Sequence, residues 1–132
     1  MNKTSTNSIG VIGSGSWATA MVKMLTDNQE AKTLYWWVRK AEDILYINKY
    51  KHNPSYLTAV EIKLDAEYIS SDVCYIFKHS DIIILNTPAA YLKDALHGLS
   101  AQDFKDKIII SAIKGIIPDE NQIVGEYIST TY

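Results

Sequence analysis

The stretch Ile9-Gly10-Val11-Ile12-Gly13-Ser14-Gly15-Ser16-Trp17-Ala18-Thr19-Ala20 decides the fold. A short apolar strand breaks into a glycine bend, and the bend opens directly into a helical pattern. Gly13 permits the tight turn, Gly15 lets the backbone come close to a diphosphate, and Ala18 is small enough for the helix to pack on the strand. The amides at the start of such a helix lack partners within it, and aligned peptide dipoles add roughly 0.3 to 1 kcal/mol for an anionic group. An ordinary strand-to-helix turn has the same outline. The apolar strand in front, the alternating strand near residue 35 and the position at the start of the chain favour a dinucleotide cradle over Gly13, Ser14, Gly15, Ser16 and Trp17.

Working outward, Ser16 to about Asn28 carries Trp17, Ala20, Met21, Met24 and Leu25 at helical spacing, and Asp27-Asn28 is a natural stop. Thr33 to Val38 is dense in β-branched and aromatic residues and predicts a second parallel strand; its Tyr35, Trp36 and Trp37 read as core packing. Ala41 to about Lys49 predicts a short helix through Ile44, Leu45 and Ile47, broken at Lys51-His52-Asn53-Pro54-Ser55. Tyr68 to Ser71 predicts a third strand and Asp72 to Lys78 a short helix. Ile82 to Leu85 predicts a fourth strand, apolar enough to be covered on both faces and ended by Pro88. A helix over Ala89 to Leu99, a fifth strand over Ile108 to Ile113 and a closing helix from Asn121 to about Ser129 complete the pattern. Strands alternating with helices at this spacing imply right-handed crossovers and an α/β fold, a doubly wound parallel sheet in a single domain over residues 9–132 behind a polar leader of residues 1–8.

The 132 residues are enough to bury about two thirds of the surface exposed by the unfolded chain. A formal charge of −2 supplies no field that attracts nucleic acid or an anionic membrane. The apolar runs fall short of the roughly 20 residues that cross a bilayer, and the start Met1 to Ser8 lacks a signal-peptide core, so the expectation is a cytoplasmic protein without membrane insertion. The single cysteine, Cys74, reads as a small buried side chain rather than a reactive one. His52, His79 and His97 show no ligand spacing, so no metal is expected, and Ser111 has no motif partners for a hydrolase triad. Asp81, before the fourth strand, lies on the rim away from the cleft, where a structural bond or solvent is expected.

An NAD site usually carries an acidic residue at the end of the second strand, to hold the ribose hydroxyls. Here Trp37-Val38 is followed by Arg39 and Lys40. A guanidinium can stack on adenine and pair with a 2′-phosphate, which leans toward NADP being accepted alongside NAD; the plain alternative is a solvated basic loop, with Glu42 and Asp43 neutralising part of its field. Ligands in an open parallel sheet collect at the carboxyl ends of strands, which places Asn86-Thr87-Pro88 and Lys114-Gly115 on the rim of the glycine bend. Lys114, set by a buried fifth strand, can hold a phosphate or polarise a carbonyl, or can simply be solvated.

Together these pieces resemble the N-terminal domain of NAD(P)-dependent glycerol-3-phosphate dehydrogenases. The resemblance spans nearly the whole chain and rests on Gly13 to Ala20, on Trp37-Val38-Arg39, on Ile47-Asn48 with Asn53-Pro54-Ser55-Tyr56-Leu57, on Asp81 to Pro88, and on Ser111-Ala112-Ile113-Lys114-Gly115-Ile116. It implies that Ser16 and Trp17 contact NADP or NAD, that Arg39 and Lys40 meet its adenosine end, and that Lys114 touches both cofactor and substrate as the catalytic cation. The implied reaction is reversible hydride transfer between dihydroxyacetone phosphate and glycerol 3-phosphate, feeding phospholipid synthesis, with the full-length enzyme a homodimer. Ala18 replaces the commoner glycine, Thr58 stands where proline is frequent, and Asn86 stands where a small apolar residue is usual. The family's helical C-terminal substrate domain, with a second lysine, is absent from this sequence, so the expectation for the chain alone is cofactor binding without useful turnover. The rival reading is a regulatory nucleotide-sensing module, whose usual acidic residue at the second strand and lack of a Lys-Gly pair are the reverse of what stands here.

Overall fold

The computed structural model describes residues 7–28, 33–118 and 120–132. Residues 1–6 of the expected leader lie outside them, whereas Ser8 belongs to the fold: its carbonyl accepts the amides of Asp81 and Ile82, and its hydroxyl donates to the His79 carbonyl at 2.7 Å. Asp81 thus stands in the structural role expected of it, its carboxylate accepting from the Ser8 amide at 3.2 Å.

In chain order the elements are β1 (Ile9–Ile12), α1 (Ser16–Asp27), β2 (Leu34–Trp37), α2 (Ala41–Tyr50), β3 (Ile69–Ser70), α3 (Val73–His79), β4 (Ile82–Leu85), α4 (Leu92–Ala95), α5 (Ala101–Phe104), β5 (Ile108–Ser111), β6 (Ile116–Ile117), β7 (Gln122–Ile123) and α6 (Val124–Thr131). Five strands form one parallel sheet in the order β3-β2-β1-β4-β5, with Ile9 to Ile12 in register with Leu34 to Trp37 on one side and Ile82 to Leu85 on the other. The doubly wound α/β expectation is met. The direction of winding reverses between β1 and β4, which opens a crevice at their carboxyl ends.

The pleat sends alternate residues to opposite faces. On one face Val11, Trp36, Val38 and Ile84 pack with Ala18 and Val22 of α1 and Ile47 of α2; on the other Ile12, Trp37, Ile83 and Leu85 pack with Ile76 and Phe77 of α3, Leu92 and Leu96, and Val124 and Tyr127 of α6. Both tryptophans of β2 are therefore core, one on each face.

Several expectations need correction. The buried stripe of α1 is Ala18, Thr19 and Val22, while Trp17 and Met24 are exposed. The helix over Ala89 to Leu99 is a 3₁₀ turn at Ala89–Tyr91 followed by the single turn of α4, interrupted where Tyr91 and Leu96 leave the helical conformation and ended by the positive φ of Gly98. The closing helix begins only at Val124; Gln122-Ile123 instead pairs antiparallel with Ile116-Ile117. Cys74 is exposed on α3, since Val73, Ile76 and Phe77 take the core positions of that helix. The fifth strand is not buried. Its Ile109 packs inward, but Ile108 and Ile110, on the face they share with Ile82 and Ile84 of β4, are 58% and 46% exposed.

Candidate functional site

Four segments shape the glycine bend. Gly13 has φ +138°, and a Cβ there would stand 2.4 Å from the Asn86 carbonyl oxygen, so only glycine lets the bend lie against the end of β4. The Asn86 amide in turn donates to the Ile12 carbonyl at 2.8 Å. From β2, the buried Trp36 indole Nε1 donates to the Gly13 carbonyl at 2.7 Å. From the loop after α2, buried Asn53 donates through Nδ2 to the Ser14 carbonyl at 3.2 Å and to Thr19 Oγ1 at 3.0 Å, while its Oδ1 accepts the amides of Ser55 and Tyr56. Thr19 closes the set by donating to the Gly15 carbonyl at 2.7 Å.

The carbonyls of Gly13, Ser14 and Gly15 are thus consumed by the scaffold, as is the Gly13 amide, which donates to the Trp37 carbonyl at 3.4 Å. Gly15 is the N-cap of α1, no side chain caps the helix and no acidic residue sits in its first turn. A Cβ built on Gly15 would meet nothing within 4 Å. This open space borders a cleft of about 310 Å³, walled by Ser14 and Gly15 of the bend, Arg39 and Lys40 past β2, Ser55 and Tyr56 of the loop, and Thr87 and Pro88 past β4. An uncapped helix start, a cradle free of side chains and two cations make an anion site, and the cations suit a phosphorylated adenosine. The residues fit a dinucleotide.

Of the residues singled out in the sequence, Ser14, Gly15, Arg39, Lys40 and Pro88 line this cleft together. Gly13 is buried behind it. Trp17 is 81% exposed and, like Ser16, is not part of the cleft wall. Lys114 follows β5 on the same rim and is exposed, but it does not line the cleft either, and the strand that leads to it is an exposed edge rather than a buried one. Asp43 joins Arg39 and Lys40 in the wall, where it offsets part of their charge. Asn53 is a scaffold residue of the site that the sequence pattern signals only through Asn53-Pro54-Ser55, in which an asparagine carbonyl can accept the amide two residues on. Among the described residues no three His, Cys, Asp or Glu side chains gather to hold a metal, and no helix is long and apolar enough to cross a membrane.

The family model described as NAD-dependent glycerol-3-phosphate dehydrogenase N-terminus matches residues 8–132. The chain belongs to that family. A glycerol-3-phosphate dehydrogenase [NAD(P)+] of Geobacillus kaustophilus is 31% identical over 121 residues, covering 92% of this chain and 34% of that protein. The enzyme of the same name from Tropheryma whipplei is 34% identical over 123 residues, covering 93% and 34%. Among solved structures, the glycerol-3-phosphate dehydrogenase of Coxiella burnetii superposes with a TM-score of 0.72 at 17% identity over 96% of this chain and 38% of that one, a likeness of fold. That of Plasmodium falciparum gives 0.67 at 28% identity over 95% and 37%. The chain spans about a third of the length of these curated relatives.

Proposed function

We propose that this chain is the part of a glycerol-3-phosphate dehydrogenase that binds NADP or NAD, serving reversible hydride transfer between dihydroxyacetone phosphate and glycerol 3-phosphate for phospholipid synthesis. The observation that carries the reading is the empty space over Gly15 at the uncapped start of α1, facing Arg39 and Lys40 across one cleft. The bound dinucleotide supplies or accepts the hydride. The residues of this chain hold and orient it: the amides of the bend take the diphosphate, and Arg39 with Lys40 takes the adenosine end. Lys114 lies on the carboxyl rim, where an ammonium can polarise a substrate carbonyl as negative charge develops on its oxygen. The family assignment favours this enzyme over a regulatory nucleotide sensor.

The test is separate titration of NADPH and NADH into wild type and Arg39→Ala, followed by nicotinamide fluorescence. A lost charge-assisted pair with a 2′-phosphate weakens NADPH by about 10- to 100-fold and NADH much less. Equal weakening of both assigns Arg39 to stacking on adenine, and a wild type that binds neither nucleotide overturns the reading.

A further inference from the structure

We infer that Asn86 donates a hydrogen bond to the nicotinamide-nucleotide half of the bound cofactor, which makes it a positioning residue for the reacting end; the inference rests on the dinucleotide reading of the cleft. Asn86 stands immediately past β4, and its backbone is fixed against the bend through its amide bond to Ile12 and the close approach of its carbonyl to Gly13. The residue is only 9% exposed, and its side-chain Nδ2 is buried without a hydrogen-bond partner. Asn86 does not itself line the cleft, but it directly precedes Thr87, which does; buried amide donors are nearly always satisfied, so an orphan at this point marks a partner that arrives from outside the protein.

The sheet order gives the direction. Arg39 and Lys40 follow β2, on one side of β1, and Asn86 follows β4, on the other. A dinucleotide with its diphosphate on the bend after β1 and its adenosine toward β2 therefore extends its second nucleotide over the end of β4. Thr87 and Pro88, the next two residues, already line the cleft. The ribose hydroxyls and the carboxamide oxygen of the nicotinamide half are acceptors of the kind Nδ2 lacks, and the adenosine diphosphate half lies on the wrong side of the bend to supply one.

Titration of NADH and of ADP into wild type, Asn86→Leu and Asn86→Ala separates the possibilities, with thermal unfolding of each free protein alongside. The expected result is NADH binding weakened about tenfold in both variants, ADP binding unchanged, and free-protein stability no lower in Asn86→Leu, because an unpartnered donor contributes nothing before the cofactor binds. NADH affinity unchanged, or ADP weakened as much as NADH, overturns the inference while leaving the site intact. So does loss of the fold in both variants. A wild type that binds neither ligand overturns the dinucleotide site together with it.

Discussion

The buried indole of Trp36 donates to the carbonyl of Gly13, so a side chain of β2 pins the bend after β1 in place. The bond spans 23 residues of sequence and turns a core aromatic into part of the site's scaffold. Trp36→Phe keeps an aromatic ring but loses the indole N–H and part of the buried volume, leaving that carbonyl unpaired in the interior. A loss of at least about 1–3 kcal/mol is expected in urea unfolding, together with weaker NADH binding. Unchanged stability would show that the carbonyl finds another donor.

Gly13 and Gly15 should respond oppositely to the same added methyl. Gly13→Ala drives a Cβ into the Asn86 carbonyl at a left-handed φ and should lower the melting temperature steeply. Gly15→Ala meets open space at an ordinary backbone conformation, so stability should stay within about 0.5 kcal/mol of wild type. Its nucleotide affinity should fall because the methyl occupies the diphosphate cradle. Calorimetric titration and melting of the two proteins check both halves.

Asn53 makes four hydrogen bonds: two hold its own loop through the Ser55 and Tyr56 amides, and two join that loop to Ser14 of the bend and Thr19 of α1. Asn53→Ala strands the partners of a buried amide, and a loss of about 2–4 kcal/mol is expected. Asn53→Asp should be no better, since a carboxylate cannot donate to the Ser14 carbonyl. Chemical denaturation of the two variants gives the comparison.

Although Cys74 is exposed, partial desolvation of its thiol against neighbouring atoms, with the Asp72 and Asp103 carboxylates adding to it, pushes its pKa above the ordinary thiol range. The fold therefore favours the neutral thiol. The associated stability is complete below the unfolded-state pKa and is lost as pH rises through the higher folded-state value. Alkylation rate measured against pH should show a higher midpoint in the folded protein than in urea. A folded midpoint at or below the unfolded one contradicts the shift.

The exposed Ile108 and Ile110 lie on an edge strand, the arrangement that pairs with another chain. Ile108→Thr with Ile110→Thr keeps β-branching and removes apolar surface. Sedimentation equilibrium should show less self-association, with stability changed by no more than about 1 kcal/mol.

The amino-acid sequence by itself determined the winding of this protein, because its evidence is local. Apolar runs of four residues, helical spacing in α1 and α2, and the glycines at 13 and 15 each act within a few positions, and the same local signals bring out Ser14, Arg39, Lys40 and Pro88 as wall residues. Only the tertiary structure decided which side of each element was covered. Trp17 and Met24 fit an apolar helix stripe as well as Ala18 and Val22 do, and the choice between them depends on how α1 sits on β1 and β2. The apolar run of β5 reads as a buried strand, yet its place at the sheet's edge leaves Ile108 and Ile110 outside the core. The clamps on the bend from Trp36 and Asn53, and the orphaned nitrogen of Asn86, arise from contacts between residues distant along the chain, and no periodicity encodes a contact of that kind.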